Sequence, residues 1–172
     1  MTTSDRTLTW TWLGRVAYPR AVALQEHLRR EVKAGHLGDQ LLLLEHDPVY
    51  TVGKNADAGD VTASMPWRVE RGIDVHVTSR GGQVTYHGPG QLVGYPIIDL
   101  NPDRRDVRRY VQDLQQVLID ILATVGIEAR RRDGREHIGV WVGDHDLTSA
   151  KIASIGVHLS RWVTMHGFAL NV

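Results

Sequence analysis

The stretch Arg80 to Gly90 reads RGGQVTYHGPG and holds four of the chain's 17 glycines in eleven residues. Glycine is needed where the backbone takes a positive φ, or where another group approaches the main chain more closely than a Cβ permits. Between the glycine pairs, Gln83 to Tyr86 is rich in residues that favour strands. The stretch therefore predicts a short strand and a sharp exit at Gly88-Pro89-Gly90. Composition alone does not separate a structural hairpin from a binding loop.

Two further blocks follow in the chain, AKIASIGV at Ala150 to Val157 and MHGFALNV at Met165 to Val172. Together with RGGQVTYHGPGQLVGYPIIDL, Arg80 to Leu100, they resemble in order the signature segments of the octanoyltransferases of lipoate synthesis. The resemblance spans nearly the whole chain. It implies an α+β fold, a mixed β-sheet with flanking helices, as in the biotin and lipoate protein ligases. It also implies a single catalytic domain over residues 1–172.

The resemblance implies a set of site residues. Lys151 matches the family's catalytic lysine, which lowers the pKa of a nucleophilic cysteine and shuttles protons. The positions that match the family's acyl-binding residues are Arg80, Gly81, Gly82, Gln83, Val84, Thr85, Tyr86, His87, Ser154, Ile155, Gly156, Gly167, Phe168 and Ala169. An eight-carbon tail needs an apolar trough, which we expect Val84, Ile155 and Phe168 to line.

The implied reaction moves an octanoyl group from octanoyl-acyl carrier protein to a lysine of lipoyl domains, in 2-oxoacid dehydrogenase complexes and the glycine cleavage H protein. A cysteine thioester is the intermediate. Because a thioester already carries the free energy for amide formation, we expect no ATP and no metal. The chain departs from the family in having no cysteine. We expect the natural protein to continue past Val172 to that cysteine, so that the domain is incomplete at its C-terminus.

Composition limits the classes of function. A chain of 172 residues with 42% apolar and 23% charged residues is typical of one globular domain. Equal numbers of acidic and basic residues argue against a nucleic-acid partner. The longest apolar run, Leu41 to Leu44, is too short to cross a membrane. The N-terminus MTTSDRTLTWTW lacks the pattern of a signal peptide. We expect a cytoplasmic protein that does not bind membranes.

Periodicity predicts the remaining elements. We expect strands at Leu8 to Leu13, Leu41 to His46, Ile73 to Val77, Leu92 to Leu100, Ile138 to Val142, Lys151 to Leu159 and Trp162 to Val172, the last three antiparallel. Helices are predicted from Pro19 to Ala34, with Gly35 as the stop, and from a cap at Asp103 or Asp106 through Val125. Val49 to Met65 is predicted to be a loop, Pro96 to mark a sheet edge or bulge, and the helices to pack mostly on one face.

Several alternatives remain at this level. Arg104, Arg105, Arg108 and Arg109 form either a solvated face or a docking surface for an acidic partner. His46, His87 and His166 show no metal-ligand spacing, although the fold can bring them together. The chain is also compatible with an ATP-dependent lipoate or biotin protein ligase, which needs no cysteine, and with a noncatalytic binding module.

Overall fold

The structure, a computed structural model, describes residues 6–143 and 148–172. Residues 1–5, the start of the segment that was compared with a signal peptide, lie outside the described residues. The strands are β1 Leu8–Val16, β2 Asp39–His46, β3 Val49–Val52, β4 Asp74–Val77, β5 Val84–His87, β6 Gln91–Ile97, β7 Ala129–Arg130, β8 Gly139–Val142, β9 Ala150–Ser160 and β10 Val163–Asn171. The helices are α1 Tyr18–Ala34, α2 Met65–Glu70 and α3 Val107–Thr124.

Seven strands form a mixed sheet in the order β1-β2-β6-β10-β9-β8-β7, and three form a small sheet in the order β4-β3-β5. In the large sheet only the β1–β2 pair is parallel among the pairs of the described residues. The small sheet combines a parallel β3–β4 pair with an antiparallel β3–β5 pair. The expected α+β class, with a mixed sheet and flanking helices, is confirmed.

The helix termini follow local chemistry. Pro19 lies in the first turn of α1, and Gly35 ends this helix at a φ of 76°. The side chain of Asp106 accepts a hydrogen bond from the Arg109 backbone N–H, so Asp106 rather than Asp103 caps α3. Arg104 and Arg105 therefore precede the helix and do not lie within it.

The helices pack on opposite faces of the large sheet, so the expectation that they share one face is wrong. Adjacent residues of β10 belong to different core clusters: Ala169 packs with Ala21 of α1, and Leu170 packs with Leu118 of α3. Because neighbouring side chains of a strand point to opposite faces, the two helices lie on opposite sides. The face that carries α1 is called the α1 face below, and the other is the α3 face.

The predicted loop at Val49 to Met65 is also wrong in part. Val49–Val52 forms β3, the centre of the small sheet, a 3-10 turn follows at Ala58–Asp60, and Met65 begins α2. Three of the four β3 residues are buried. A four-residue strand gives too short an alternation to be told from a loop by periodicity.

Pro96 lies in the central strand β6 and not at an edge. Its lack of an N–H is tolerated because the β6–β10 pairing is interrupted there. The ladder ends at Gly94 with Phe168, and pairing resumes at an isolated bridge between Asp99 and Val163. His166, which takes the unusual φ of 60°, lies in the same interruption.

Among the described residues, no helix is long and apolar enough to cross a membrane.

Candidate active site

A cavity of about 20 Å³ lies between the small sheet and the α1 face of the large sheet, with room for about one water molecule. Eight of the fourteen predicted acyl-binding residues line it, namely Arg80, Thr85, His87, Ser154, Gly156, Gly167, Phe168 and Ala169. The wall also includes Tyr18, Tyr95 and His166. Neither tyrosine was predicted from the sequence, where the only signal of each is a polar hydroxyl at an otherwise apolar position.

The other six predicted residues, Gly81, Gly82, Gln83, Val84, Tyr86 and Ile155, do not line this cavity. Ile155 is buried in the α3-face cluster, and the Phe168 ring lies over Gly94 within the same cluster. The structure therefore does not bring Val84, Ile155 and the Phe168 ring together as one trough. Seven of the eleven residues that line the cavity have polar side chains.

Arg80 is a buried cation with 7% of its surface exposed. Its Nη2 donates hydrogen bonds to the carbonyl oxygens of Thr51 at 2.7 Å and Gln83 at 2.9 Å, and its Nη1 donates to the Gly81 carbonyl at 2.9 Å. Among the described residues, no carboxylate forms an ion pair with it. Burial lowers the Arg80 pKa, but a guanidinium stays charged. The cavity therefore favours negative charge on a bound group.

His46 fixes the role of Tyr95. The His46 Nδ1 lies 2.7 Å from the Val16 carbonyl oxygen, which can only accept, so Nδ1 carries the hydrogen. Its Nε2, 2.7 Å from the Tyr95 hydroxyl, must then accept. Tyr95 consequently donates its hydrogen to His46 and has only oxygen lone pairs left for the cavity.

His87 is held in the same tautomer by Gln91. The Gln91 Nε2 donates to the Tyr86 carbonyl at 3.2 Å, so its Oε1 accepts from the His87 Nδ1 at 2.6 Å. The His87 Nε2 faces the Thr51 hydroxyl at 3.3 Å, and its ring packs on His46 at 5.6 Å between centroids. His87 is therefore held by contacts at both ring nitrogens and on its ring face.

The buried imidazoles at the cavity are neutral at pH 7. Burial lowers the pKa of His87 to about 4; the hydrogen bond to Gln91 opposes this effect, and the nearby Arg80 charge adds to it. Burial also lowers the pKa of His166 to about 3, and the Arg80 charge adds to this effect. His87 packs against His46 and lines the cavity together with His166. The buried Nε2 of His166 has no hydrogen-bond partner among the described residues.

The glycines of the predicted site allow backbone to pack against backbone. A Cβ on Gly156 would lie 2.7 Å from the Gly81 carbonyl oxygen, and the Gly81 N–H donates to the Val157 carbonyl at 2.9 Å. These contacts press the glycine-rich loop onto β9. The missing side chains of these glycines thus allow the glycine-rich loop to lie directly against β9 beside the cavity.

Lys151 lies outside the cavity wall, near the start of β9. Its Nζ donates to the Ile138 carbonyl oxygen at 3.1 Å and lies 4.9 Å from the Trp141 ring centroid. Burial lowers the Lys151 pKa, and the nearby Arg132 charge lowers it further. A lysine of lowered pKa is suited to proton transfer, and its catalytic role stays a prediction.

Within residues 6–143 and 148–172, no group of three histidine or carboxylate side chains is placed to hold a metal.

Comparison with known proteins places these features in a class. The family model described as the lipoyl protein ligase A/B catalytic domain matches residues 17–172. The solved structure of lipoate-protein ligase A bound with ATP superposes with a TM-score of 0.73 at 14% identity, covering 98% of this chain and 67% of that one. Fold and site therefore define a catalytic domain of the lipoyl protein ligase A/B type.

Sequence relatives narrow the class. An octanoyltransferase of Solibacter usitatus is 52% identical over 160 residues, covering 93% of this chain and 70% of the relative. One of Myxococcus xanthus is 50% identical over 167 residues, covering 96% of this chain and 46% of the relative. The chain belongs to the octanoyltransferase family, the acyltransferases of lipoate biosynthesis. It spans about half to two thirds of the length of such relatives.

Proposed function

We propose that the natural protein transfers an octanoyl group from octanoyl-acyl carrier protein to a lysine of lipoyl domains, in 2-oxoacid dehydrogenase complexes and in the glycine cleavage H protein. The observation that carries the proposal is 52% identity to an octanoyltransferase over 160 residues. Since a free thiolate needs a reducing environment, the proposal places the reaction in the cytoplasm.

The proposed chemistry has two steps. A cysteine thiolate attacks the thioester carbonyl, the carrier-protein thiolate leaves, and the octanoyl group stays on the enzyme as a thioester. The acceptor lysine amine then attacks that thioester, so that the amide bond forms as the C–S bond breaks and the enzyme thiolate is regenerated. The proton lost by the amine passes to Lys151, which gave one to the carrier-protein thiolate in the first step. These 172 residues contain no cysteine, so the proposal assigns the nucleophile to a part of the natural protein outside them.

Three features of the described residues support this chemistry. Lys151, held beside Arg132, provides a cation of lowered pKa that can stabilise a thiolate and pass protons to the leaving thiol. The Arg80 charge favours negative charge in the cavity, as develops on the carbonyl oxygen in both steps. His87 and His166 are neutral, so the Arg80 guanidinium supplies the positive charge of the cavity.

The test is transfer without ATP. The natural protein is incubated with octanoyl-acyl carrier protein and an unmodified lipoyl domain, in buffer freed of nucleotides and metals by dialysis against a chelator. Octanoyl-lysine on the lipoyl domain, found by intact mass, is the expected product. A strict requirement for ATP, together with ATP binding measured by calorimetry, would instead show an adenylating ligase. Carrier-protein binding without any product would show a noncatalytic binding module.

A further inference from the structure

Lys151 lies at an irregularity in the large sheet. In the β8–β9 pair, Trp141 is opposite Lys151 and Val140 is opposite Ala153, so Ile152 is an additional residue on β9. Such a β-bulge changes the direction of the side chains on one side of it. Bulges next to active sites are used to re-aim a side chain.

The bulge decides which face of the sheet Lys151 occupies. Ala153 and Ile155 are buried in the α3-face cluster, and Ile152 packs against the same cluster. Regular alternation would put Lys151 on that face together with Ala153. Because Ile152 takes the α3 face as well, Lys151 emerges on the opposite, α1 face. Ser154 and Gly156, which line the cavity, lie on that face.

Gly139 leaves room for the Lys151 side chain. Gly139 pairs with Ser154 across the β8–β9 ladder and has a φ of 143°. A Cβ at this position would lie 3.2 Å from both Cδ and Cε of Lys151 and 2.5 Å from the Ala153 carbonyl oxygen. The aliphatic stem of Lys151 therefore crosses from β9 over Gly139 of β8, the residue that lies opposite Ser154.

Trp141 holds the end of the same side chain. Its indole ring is 4.9 Å from the Lys151 Nζ and 4.6 Å from the Arg132 guanidinium carbon. The negative face of an indole attracts cations, so one ring stabilises two positive groups that repel each other. The ring is itself fixed, because its Nε1 donates to the His137 carbonyl at 2.9 Å.

We infer that the bulge at Ile152, the absent side chain at Gly139 and the indole of Trp141 position the Lys151 ammonium on the cavity face for acyl transfer. Trp141 and Gly139 are then positioning residues that act through Lys151. The inference rests on the proposed function, in which Lys151 takes part.

The experiment compares Trp141→Leu with Trp141→Phe in the natural protein, using octanoyl-acyl carrier protein and a lipoyl domain. Both variants lose the hydrogen bond to His137, and only Phe keeps an aromatic face. We expect Leu to lower kcat on the order of 100-fold with little change in KM, and Phe to restore most of the loss. Trp67→Leu is the matched control, since Trp67 of α2 forms a similar pair with Arg71, which follows that helix, at 4.4 Å.

A second measurement does not depend on activity. These 172 residues contain three lysines, Lys33, Lys54 and Lys151, and the Hε and Nζ NMR resonances of Lys151 are identified by their loss in Lys151→Ala. We expect a ring-current shift of the Lys151 Hε signals in the wild type, retained in Trp141→Phe and in Trp67→Leu. In Gly139→Ala, provided that the backbone spectrum shows a folded protein, the displaced side chain should lose this shift.

The outcomes distinguish a failure of the positioning inference from a failure of the proposed function. If Lys151→Ala slows transfer but Trp141→Leu and Gly139→Ala do not, the positioning inference is overturned and the proposed function stands. If Lys151→Ala leaves transfer unchanged, the role of Lys151 is wrong and the inference falls with it. Equal losses in Trp141→Leu and Trp141→Phe would also overturn the inference, since the aromatic face would then be irrelevant.

Discussion

At the scale of single residues, Arg80 organises the cavity through its own loop. Its guanidinium donates hydrogen bonds to carbonyl oxygens of β3 and of the glycine-rich segment, and so links that segment to the small sheet. Among the described residues, no carboxylate forms an ion pair with Arg80. A buried charge that is satisfied only by dipoles keeps most of its field. Arg80 therefore fixes the loop and at the same time makes the cavity positive.

The buried histidines give the protein a defined dependence on pH. An ordinary histidine has a pKa of 6.5, and burial lowers the pKa of His166 to about 3. The unfolded chain therefore binds more protons as the pH falls below 6.5. The contribution of His166 to the free energy of unfolding is therefore fully present above pH 6.5 and is lost as the pH falls toward 3. Between pH 7 and pH 5 we expect His166 to cost on the order of 1–2 kcal/mol of unfolding free energy.

Urea unfolding at pH 7 and pH 5 measures this loss. His166→Asn removes the titrating group and tolerates the φ of 60° better than other residues, so its stability should change less between the two pH values than that of the wild type. His27→Gln, at an exposed position of α1, controls for the substitution. An equal change in His166→Asn and wild type would show that His166 is not the group responsible.

At the scale of elements, the glycine-rich loop is attached to β9 by close backbone contact. Gly156→Ala would place a methyl group 2.7 Å from the Gly81 carbonyl oxygen and 3.1 Å from the Arg80 Cδ. Since a backbone neighbour cannot move aside cheaply, we expect a loss of about 1–3 kcal/mol in unfolding free energy. The hydrogen bond from the Gly81 N–H to Val157 should weaken at the same time.

Amide hydrogen exchange of Gly81 measures that weakening directly. Gly38→Ala is the matched control, because its added methyl would meet only the Thr7 carbonyl oxygen, at an ordinary 3.5 Å. We expect faster exchange of the Gly81 amide in Gly156→Ala and no change in Gly38→Ala. Unchanged exchange and stability in Gly156→Ala would mean that the loop does not depend on this contact.

The strands and helices with clear periodicity were predictable from sequence. α1 between Pro19 and Gly35, α3 after Asp106, and the last three strands all form close to their expected bounds. β3 was missed because four residues give too little alternation. The bulge at Ile152 leaves no sequence signal of its own, so the face that Lys151 occupies could not be read from spacing.

The sequence predicted which segments contribute to the candidate site, but not how their side chains are arranged around the cavity. The resemblance identified three segments, and eight of the fourteen residues taken from them line one cavity. Tyr18 and Tyr95 were missed because their roles depend on tertiary contacts, such as the hydrogen bond between Tyr95 and His46. Pairings between distant strands created these contacts, and no local pattern specifies them.

At the scale of the whole molecule, two sheets meet to form the site. His87 of β5 and Arg80 of the loop between β4 and β5 lie against the α1 face of the large sheet, which carries Ser154, Gly156 and Lys151 on β9. This arrangement places a buried positive charge and a lysine of lowered pKa on the same side of one sheet. It suits a reaction that passes through negative charge on sulfur and oxygen.

The most direct test of covalent acyl transfer uses the donor alone. The natural protein is mixed with octanoyl-acyl carrier protein, without ATP and without any lipoyl domain, and its intact mass is followed over time. The account predicts a gain of one octanoyl group that neutral hydroxylamine removes, as expected for a thioester, and that forms more slowly in Lys151→Ala. A protein that forms octanoyl-lysine on a lipoyl domain but never carries the octanoyl group itself would contradict the account.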